Sequence, residues 1–415
     1  MSDGSCLESS PPALDEQVPL ITGPFLRLTL AHLLSALGFS SMLLLPLYLS
    51  SEGLGRAVIG EVMAVAAVGG LLTRPLVALT LDRIGRRPVL VTGLLIASVC
   101  LSLIPKLNPH GYQLHWLRIC FGVGAGALFT SFFTFAADII PDQRRTEGLA
   151  LFGISGLLPL VVNPTATLLE VRAAEIPHFL SQISLLLLLA IPLVLSIPEA
   201  PQKNASAQRR GSLRAVLSAL LPAELRSIWL ITISFAASVS AFMAFSTVVL
   251  ARRGFDFPTA LWFTYAGGAT LIRLFGARLP DRLGPARLVA PGLLLYCAGF
   301  LTLITAEGTR LGLLAGLFAG LSHGLCFPLL TSLVVSRSPS ELRGSALSTF
   351  TGIWELSGLA LTPLLGLIAD RAGDSWMLTG AASLTLIAAP LWLVLERESI
   401  SASSKISRGP KRVNR

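Results

Sequence analysis

The chain has 415 residues, of which 53% are hydrophobic and 13% charged, and its mean hydropathy is +0.72. A soluble domain carries roughly twice that charged fraction, so water cannot be the solvent for most of this surface. The formal net charge of +9 raises nucleic acid as a partner, but the Lys and Arg residues sit in short breaks and at the C-terminus, which is the bias of a membrane protein and excludes that reading.

Residues 1–24 are acidic, contain Pro and lack Lys and Arg, so they read as an N-terminal tail without the basic start of a cleavable leader. Crossing a hydrocarbon core takes roughly 20 helical residues. Twelve apolar runs meet that need, beginning near Phe25, Ala57, Val89, Tyr112, Gly148, Ile176, Ser227, Thr259, Leu288, Arg310, Ser345 and Trp376. The expected fold is therefore an all-α membrane protein. Its six-helix bundles span 25–197 and 227–396, joined by a basic linker over 198–226 and followed by a basic tail over 397–415. Within the linker, Gly211–Leu221 fits a short amphipathic surface helix as well as a solvated loop, and the Asn204-Ala205-Ser206 sequon carries no meaning on that side. Of the Lys and Arg residues, 21 fall on the side of the linker and termini and seven on the opposite side. That asymmetry predicts insertion in the cell (inner) membrane with both termini cytoplasmic. The five cysteines lack CxxC or Cys/His spacing, so neither a disulfide, a metal site nor a cofactor is expected.

The two bundles repeat each other. A shift of 199 carries Gly69, Arg74, Asp82, Arg83 and Gly85 onto Gly268, Arg273, Asp281, Arg282 and Gly284. A shift of 198 carries Gly122, Pro141 and Arg145 onto Gly320, Pro339 and Arg343, and Pro164 meets Pro363 at 199. Parallel halves of this kind suit a carrier that rocks about a site at their interface.

Asp82-Arg83-Ile84-Gly85-Arg86-Arg87 follows the second run, and Asp281-Arg282-Leu283-Gly284 echoes it. Gly permits a tight turn between antiparallel helices, Asp can accept from helix N-terminal amides, and Arg can bind carbonyl ends or carboxylates. Together they suggest a polar latch at the cytoplasmic mouth. In the fourth run, Arg118 is a guanidinium in an apolar span, and Gly122, Gly124 and Gly126 permit close helix approach. Trp354-Glu355 lies near the middle of the eleventh run, where a carboxylate either takes up a proton or pairs with a cation. His323 and His32 are lone helical histidines, more often structural than functional. Asn163, Tyr265, Tyr48, Trp262, Ser238 and Ser240 are further polar candidates for a cavity.

The stretch Ala78-Leu79-Thr80-Leu81-Asp82-Arg83-Ile84-Gly85-Arg86-Arg87 resembles the major facilitator superfamily signature G-x-L-a-D-R-x-G-R-R/K, with Ala78, and Ala277 in the echo, at the leading Gly. Leu117 to Gly126 is similar to the family's R-x-x-x-G-x-G-a motif. The resemblance covers about residues 25–396. It implies that Asp82, Arg83, Gly85, Arg86, Arg145, Asp281, Arg282, Gly284 and Arg343 belong to a cytoplasmic gate, with Asp138 as a salt-bridge partner. The fifth run resembles the exporters' G-x-x-x-G-P-x-x-G-G only in part, because Pro164 keeps the kink while Asn163 replaces the preceding Gly.

No Ser/His/Asp set, HExxH or Walker loop is present, so an enzyme or an ATP-driven pump is not expected. The expected function is a monomeric secondary carrier of a small-molecule substrate with protons as coupling ion. Glu355, Arg118, His323, His32, Trp354, Asn163 and Tyr265 are its candidate cavity residues. Arg74-Pro75, eight residues before the Asp-Arg-x-Gly, resembles exporters and points to efflux. Uptake by proton symport and a non-transporting membrane receptor or assembly protein are the alternatives.

Overall fold

The computed structural model describes residues 19–141, 144–199, 223–276, 279–339 and 342–407. The linker positions Asn204 and Gly211–Leu221 lie outside the described residues, as do the side chains of Asp82, Arg145 and Asp281. The described residues are helical almost throughout. Helix α1 comprises Gly23–Ser51, α2 comprises Arg56–Ala64 and Ala66–Ile84, α3 Arg86–Lys106, α4 Gln113–Ile139, α5 Glu147–Leu168 and α6 Ala173–Leu195. The second half repeats the order with α7 Glu224–Arg252, α8 Leu261–Phe275, α9 Pro285–Ile304, α10 Thr309–Arg337, α11 Arg343–Ala372 and α12 Asp374–Arg397. Twelve alternating helices put the start of α1 and the end of α12 on one face, called the terminal face; the other is the distal face.

Eleven of these helices are long and apolar enough to cross a membrane. The exception is α8, whose 15 regular residues follow a 3-10 turn over Pro258–Ala260 and precede a short helix over Leu279–Leu283. Leu72, Leu76, Leu189, Ile387 and Val394 stay exposed on the helix surfaces, as expected of an outer layer that faces lipid rather than water.

Close helix approach is organised by the repeat. A Cβ built on Gly122 of α4 would lie 1.9 Å from the Ala66 carbonyl oxygen of α2. One on its counterpart Gly320 of α10 would lie 2.1 Å from the Tyr265 carbonyl oxygen of α8. The same backbone-to-backbone seam therefore serves both halves, in the manner of small residues in membrane helix pairs. Gly85 and Gly284 adopt φ of +93° and +83°, the left-handed region that their tight turns require.

In α5 the break lies upstream of its expected position. Regular helix ends at Ile154 and resumes at Val162 after a 3-10 turn over Leu158–Val161. Pro159 accounts for this, since it lacks an N–H and its ring crowds the carbonyl four residues before it. Pro164 sits inside the resumed segment instead and has no N–H for the Leu160 carbonyl, which accepts from Asn163 Nδ2 at 2.9 Å.

The two halves pack most densely at the distal face. There a Cβ on Gly366 of α11 would lie 2.3 Å from the Arg56 carbonyl oxygen of α2, so the helices touch backbone to backbone. Asp370 accepts from the amides of Arg56 at 2.7 Å and Ala57 at 2.9 Å, capping the start of α2 from the opposite half. The Arg56 guanidinium also meets Asp374 at 3.1 Å.

Candidate functional site

At mid-depth a second set of polar contacts crosses between the halves. Arg74 of α2 donates through Nη2 to Glu355 Oε1 of α11 at 2.6 Å, and through Nη1 to Thr351 Oγ1 and to the Ser348 carbonyl. The two side chains are about a quarter exposed, 23% each, so the pair borders a space rather than sitting in the core. Glu355 Oε2 and Arg74 Nε are buried without hydrogen-bond partners. Gly70 of α2 makes room for this carboxylate, since a Cβ there would approach Glu355 Oε1 at 3.1 Å.

The repeat supplies a second crossing cation. Arg273 of α8 corresponds to Arg74 and reaches the opposite half in the same sense, donating from Nη1 to the Gly153 carbonyl of α5 at 3.1 Å. Its Nε is buried and unpartnered.

Of the expected cavity residues, four gather beside these cations. His323 of α10 shares a hydrogen bond with Tyr265 of α8, Nδ1 to hydroxyl at 2.6 Å, and its ring stacks on Trp354 at 6.0 Å and 21°. Phe327 and Phe235 meet Trp354 edge to face. Trp354 directly precedes Glu355, so the aromatic cluster and the ion pair share one turn of α11. Arg273 lies within electrostatic reach of both His323 and Tyr265.

The other three lie elsewhere. His32 of α1 belongs to a separate cluster with α5, its ring stacked on Phe152 at 4.6 Å and its Nδ1 on Ser155 Oγ at 2.7 Å. Ser155 spends its own proton on the Phe152 carbonyl at 2.5 Å, so the His32 Nδ1 donates. Asn163 is fully buried in α5, with Oδ1 unpartnered. Arg118 is buried between α4 and α2, donating from Nε and Nη2 to the Val62 and Met63 carbonyls, each at 3.0 Å. Those carbonyls immediately precede the interruption of α2 at Val65, so two of Arg118's donors serve the backbone of the first half.

Of the expected gate residues on the terminal face, Arg86 and Asp138 pair within the first half. Arg86 Nε donates to Asp138 Oδ2 at 2.8 Å, and the Glu199 carboxylate after α6 accepts from the amides of Arg86 and Arg87 at the start of α3. Arg83 and Arg282 are exposed, and Arg282 and Gly284 border a cavity of about 630 Å³ beside Trp392. Gly124 and Gly126 pack against α3 and α2 at Gly93 and Gly70.

Arg74, Arg273, Arg56, Asp370, Asp374 and Glu199 were not among the candidates. The repeat aligned the first two, which was a signal; nothing local marked the others.

A two-half helical bundle with charged groups meeting at the centre defines a membrane carrier, and comparison with known proteins gives the family. The profile of the Major Facilitator Superfamily matches residues 28–361, so the chain belongs to that superfamily. An uncharacterised MFS-type transporter of Salmonella typhimurium is 26% identical over 403 residues, covering 93% of this chain and all of the relative. The gentisate transporter of Corynebacterium glutamicum is 25% identical over 384 residues, covering 85% of this chain and 83% of its own. The crystal structure of the nucleoside transporter NupG has the same fold, with a TM-score of 0.74 at 13% identity over 90% of this chain and 99% of that one. The chain is thus an integral membrane transporter of the secondary-carrier class, not an enzyme.

Proposed function

We propose that this chain couples protons to the movement of a small organic solute by alternating access. In this reading it is a monomer in the cell (inner) membrane with its terminal face in the cytoplasm. Residues 1–24, 198–226 and 397–415 are then cytoplasmic extensions of two bundles, 25–197 and 227–396. One observation carries the reading: the Arg74–Glu355 pair joins the halves at mid-depth while the same halves are sealed at the distal face. An ion pair that spans the interface must part when the halves rock open there. A proton on Glu355 removes the charge and lowers the cost of parting, which links proton binding to the conformational step. The gentisate transporter among the relatives supports a small organic solute.

Export is the direction proposed, on the likeness of Arg74-Pro75 and the following Asp-Arg-x-Gly to exporters. Proton-linked uptake has an observation of its own. Protonating Glu355 frees Arg74 to hold an anion, so proton and anion would bind together, and that positive linkage is what symport needs.

Proteoliposomes enclosing a pH-sensitive dye test both points with a panel of small organic solutes. Solute that discharges an interior-acid gradient marks exchange, and solute that carries protons inward with it marks symport. Counterflow without any proton movement overturns the coupling; no counterflow by any solute overturns the carrier itself.

A further inference from the structure

The repeat that relates Arg74 to Arg273 also relates Glu355 to Gly156, since both pairs are 199 residues apart. The first half thus lends a cation to α11 and finds a carboxylate there. The second half lends the equivalent cation to α5 and finds a carbonyl and a glycine. At mid-depth, among the described residues, Arg74 and Arg273 both reach across the interface, and Glu355 answers only the first.

An uncompensated guanidinium at this depth is costly, because an unpaired charge away from bulk water loses hydration that a single carbonyl does not replace. Arg273 has a buried, unpartnered Nε in addition to the one bond from Nη1. Gly156, where the α5 carboxylate would stand, is half-buried. A Cβ on Gly156 would meet the His32 ring at 3.2 Å and otherwise a Gly153 carbonyl at 3.6 Å. With Nδ1 of His32 donating to Ser155, its Nε2 side borders that place, 3.8 Å from the same Cβ position. In the second half, the His323 ring of α10 stacks on Trp354 of α11 and lies within electrostatic reach of Arg273.

Building on the carrier reading above, we infer that the cargo is an organic anion with a planar ring: its carboxylate takes, beside Arg273 and Gly156, the place that Glu355 takes beside Arg74, and its ring lies against His323 and Trp354. A carboxylate suits the guanidinium because two parallel N–H donors meet two oxygens, and Arg273 has the free donor. The aromatic wall adds apolar contact and an offset-stacking surface. Neutral solutes of the same shape would leave Arg273 without an anion.

The test uses benzoate and its uncharged isostere benzamide, with binding to the full-length protein in detergent read by calorimetry and counterflow read in proteoliposomes. Benzoate should bind more tightly than benzamide by about tenfold to a hundredfold, the worth of one charge-assisted bidentate contact. Arg273→Gln should abolish that preference and Arg273→Lys should keep part of it. Gly156→Glu builds in the missing carboxylate and should also abolish the preference, whereas Gly156→Ala should not. Equal binding of the two probes, or an unchanged preference in Arg273→Gln and Gly156→Glu, overturns the inference. The carrier reading fails separately: benzoate bound with the expected preference but never exchanged across the bilayer would leave the anion site standing and remove transport.

Discussion

Arg74 and Glu355 are 281 residues apart in the chain, yet Arg74 Nη2 donates to Glu355 Oε1 at 2.6 Å across the interface between the halves. Each side chain keeps about a quarter of its surface exposed. That geometry lets one contact serve as a mechanical tie between α2 and α11 and as a titratable group open to the space between them.

Glu355→Gln separates those two roles. The amide oxygen can still accept from Arg74, so the tie survives in weakened form, but no proton can be exchanged. Solute counterflow should persist while solute-linked proton flux falls to background. Dye-loaded proteoliposomes measure both, and proton flux at the wild-type rate in the variant removes Glu355 from the coupling.

The distal seal makes a second prediction. Asp370 of α11 accepts from the Arg56 and Ala57 amides of α2, so it caps a helix of the other half only while the distal face is closed. Replacing an N-cap carboxylate by Ala costs about 1 kcal/mol. In Asp370→Ala that cost falls on one state, so the distal-closed population should drop roughly fivefold relative to the distal-open one. Spin labels on the distal loops of the two halves read this as longer distances, and an unchanged distribution refutes the assignment.

The membrane helices and the two positive-φ turns were legible in the sequence because their causes are local. An apolar run of the right length and a glycine between antiparallel helices need no knowledge of distant partners. Glu355 was legible for a related reason, since a carboxylate in a membrane span needs an explanation wherever it points. Arg74 and Arg273 could be aligned by the repeat, but no local pattern says that each reaches across to the other half. Where Arg118 turns was not legible, because nothing marks Val65 as an interruption; it is neither Gly nor Pro, and the carbonyls that receive the guanidinium lie 55 and 56 residues away. In α5 two prolines competed, and the break follows Pro159 rather than Pro164.

Arg118 therefore supports a prediction about stability rather than coupling. Arg118→Met keeps the stem and removes the donors, leaving the Val62 and Met63 carbonyls without that partner. The loss should be about 1–3 kcal/mol, read as a lower thermal midpoint of the purified protein, with the pH dependence of transport unchanged. A stable variant with an altered pH profile would return Arg118 to the proton path.

The glycine seam of the repeat predicts matched effects in the two halves. Adding one methyl group at Gly122 places carbon 1.9 Å from the Ala66 carbonyl oxygen, and at Gly320 2.1 Å from that of Tyr265. Backbone on a packed helix cannot swing aside as a side chain can, so each substitution must push α4 from α2, or α10 from α8, by about an ångström. Overpacking of this kind costs about 1–3 kcal/mol. Gly267 is the control, since it lies in α8 with nothing within 4 Å of its Cβ position. There Ala should be neutral or should stabilise by roughly 0.5–1 kcal/mol, because it only restricts the unfolded chain and favours helix. Thermal midpoints of the three alanine variants decide the matter. If Gly122→Ala and Gly320→Ala melt like the Gly267 variant, the helices of each half do not meet backbone to backbone, and the shared seam is wrong.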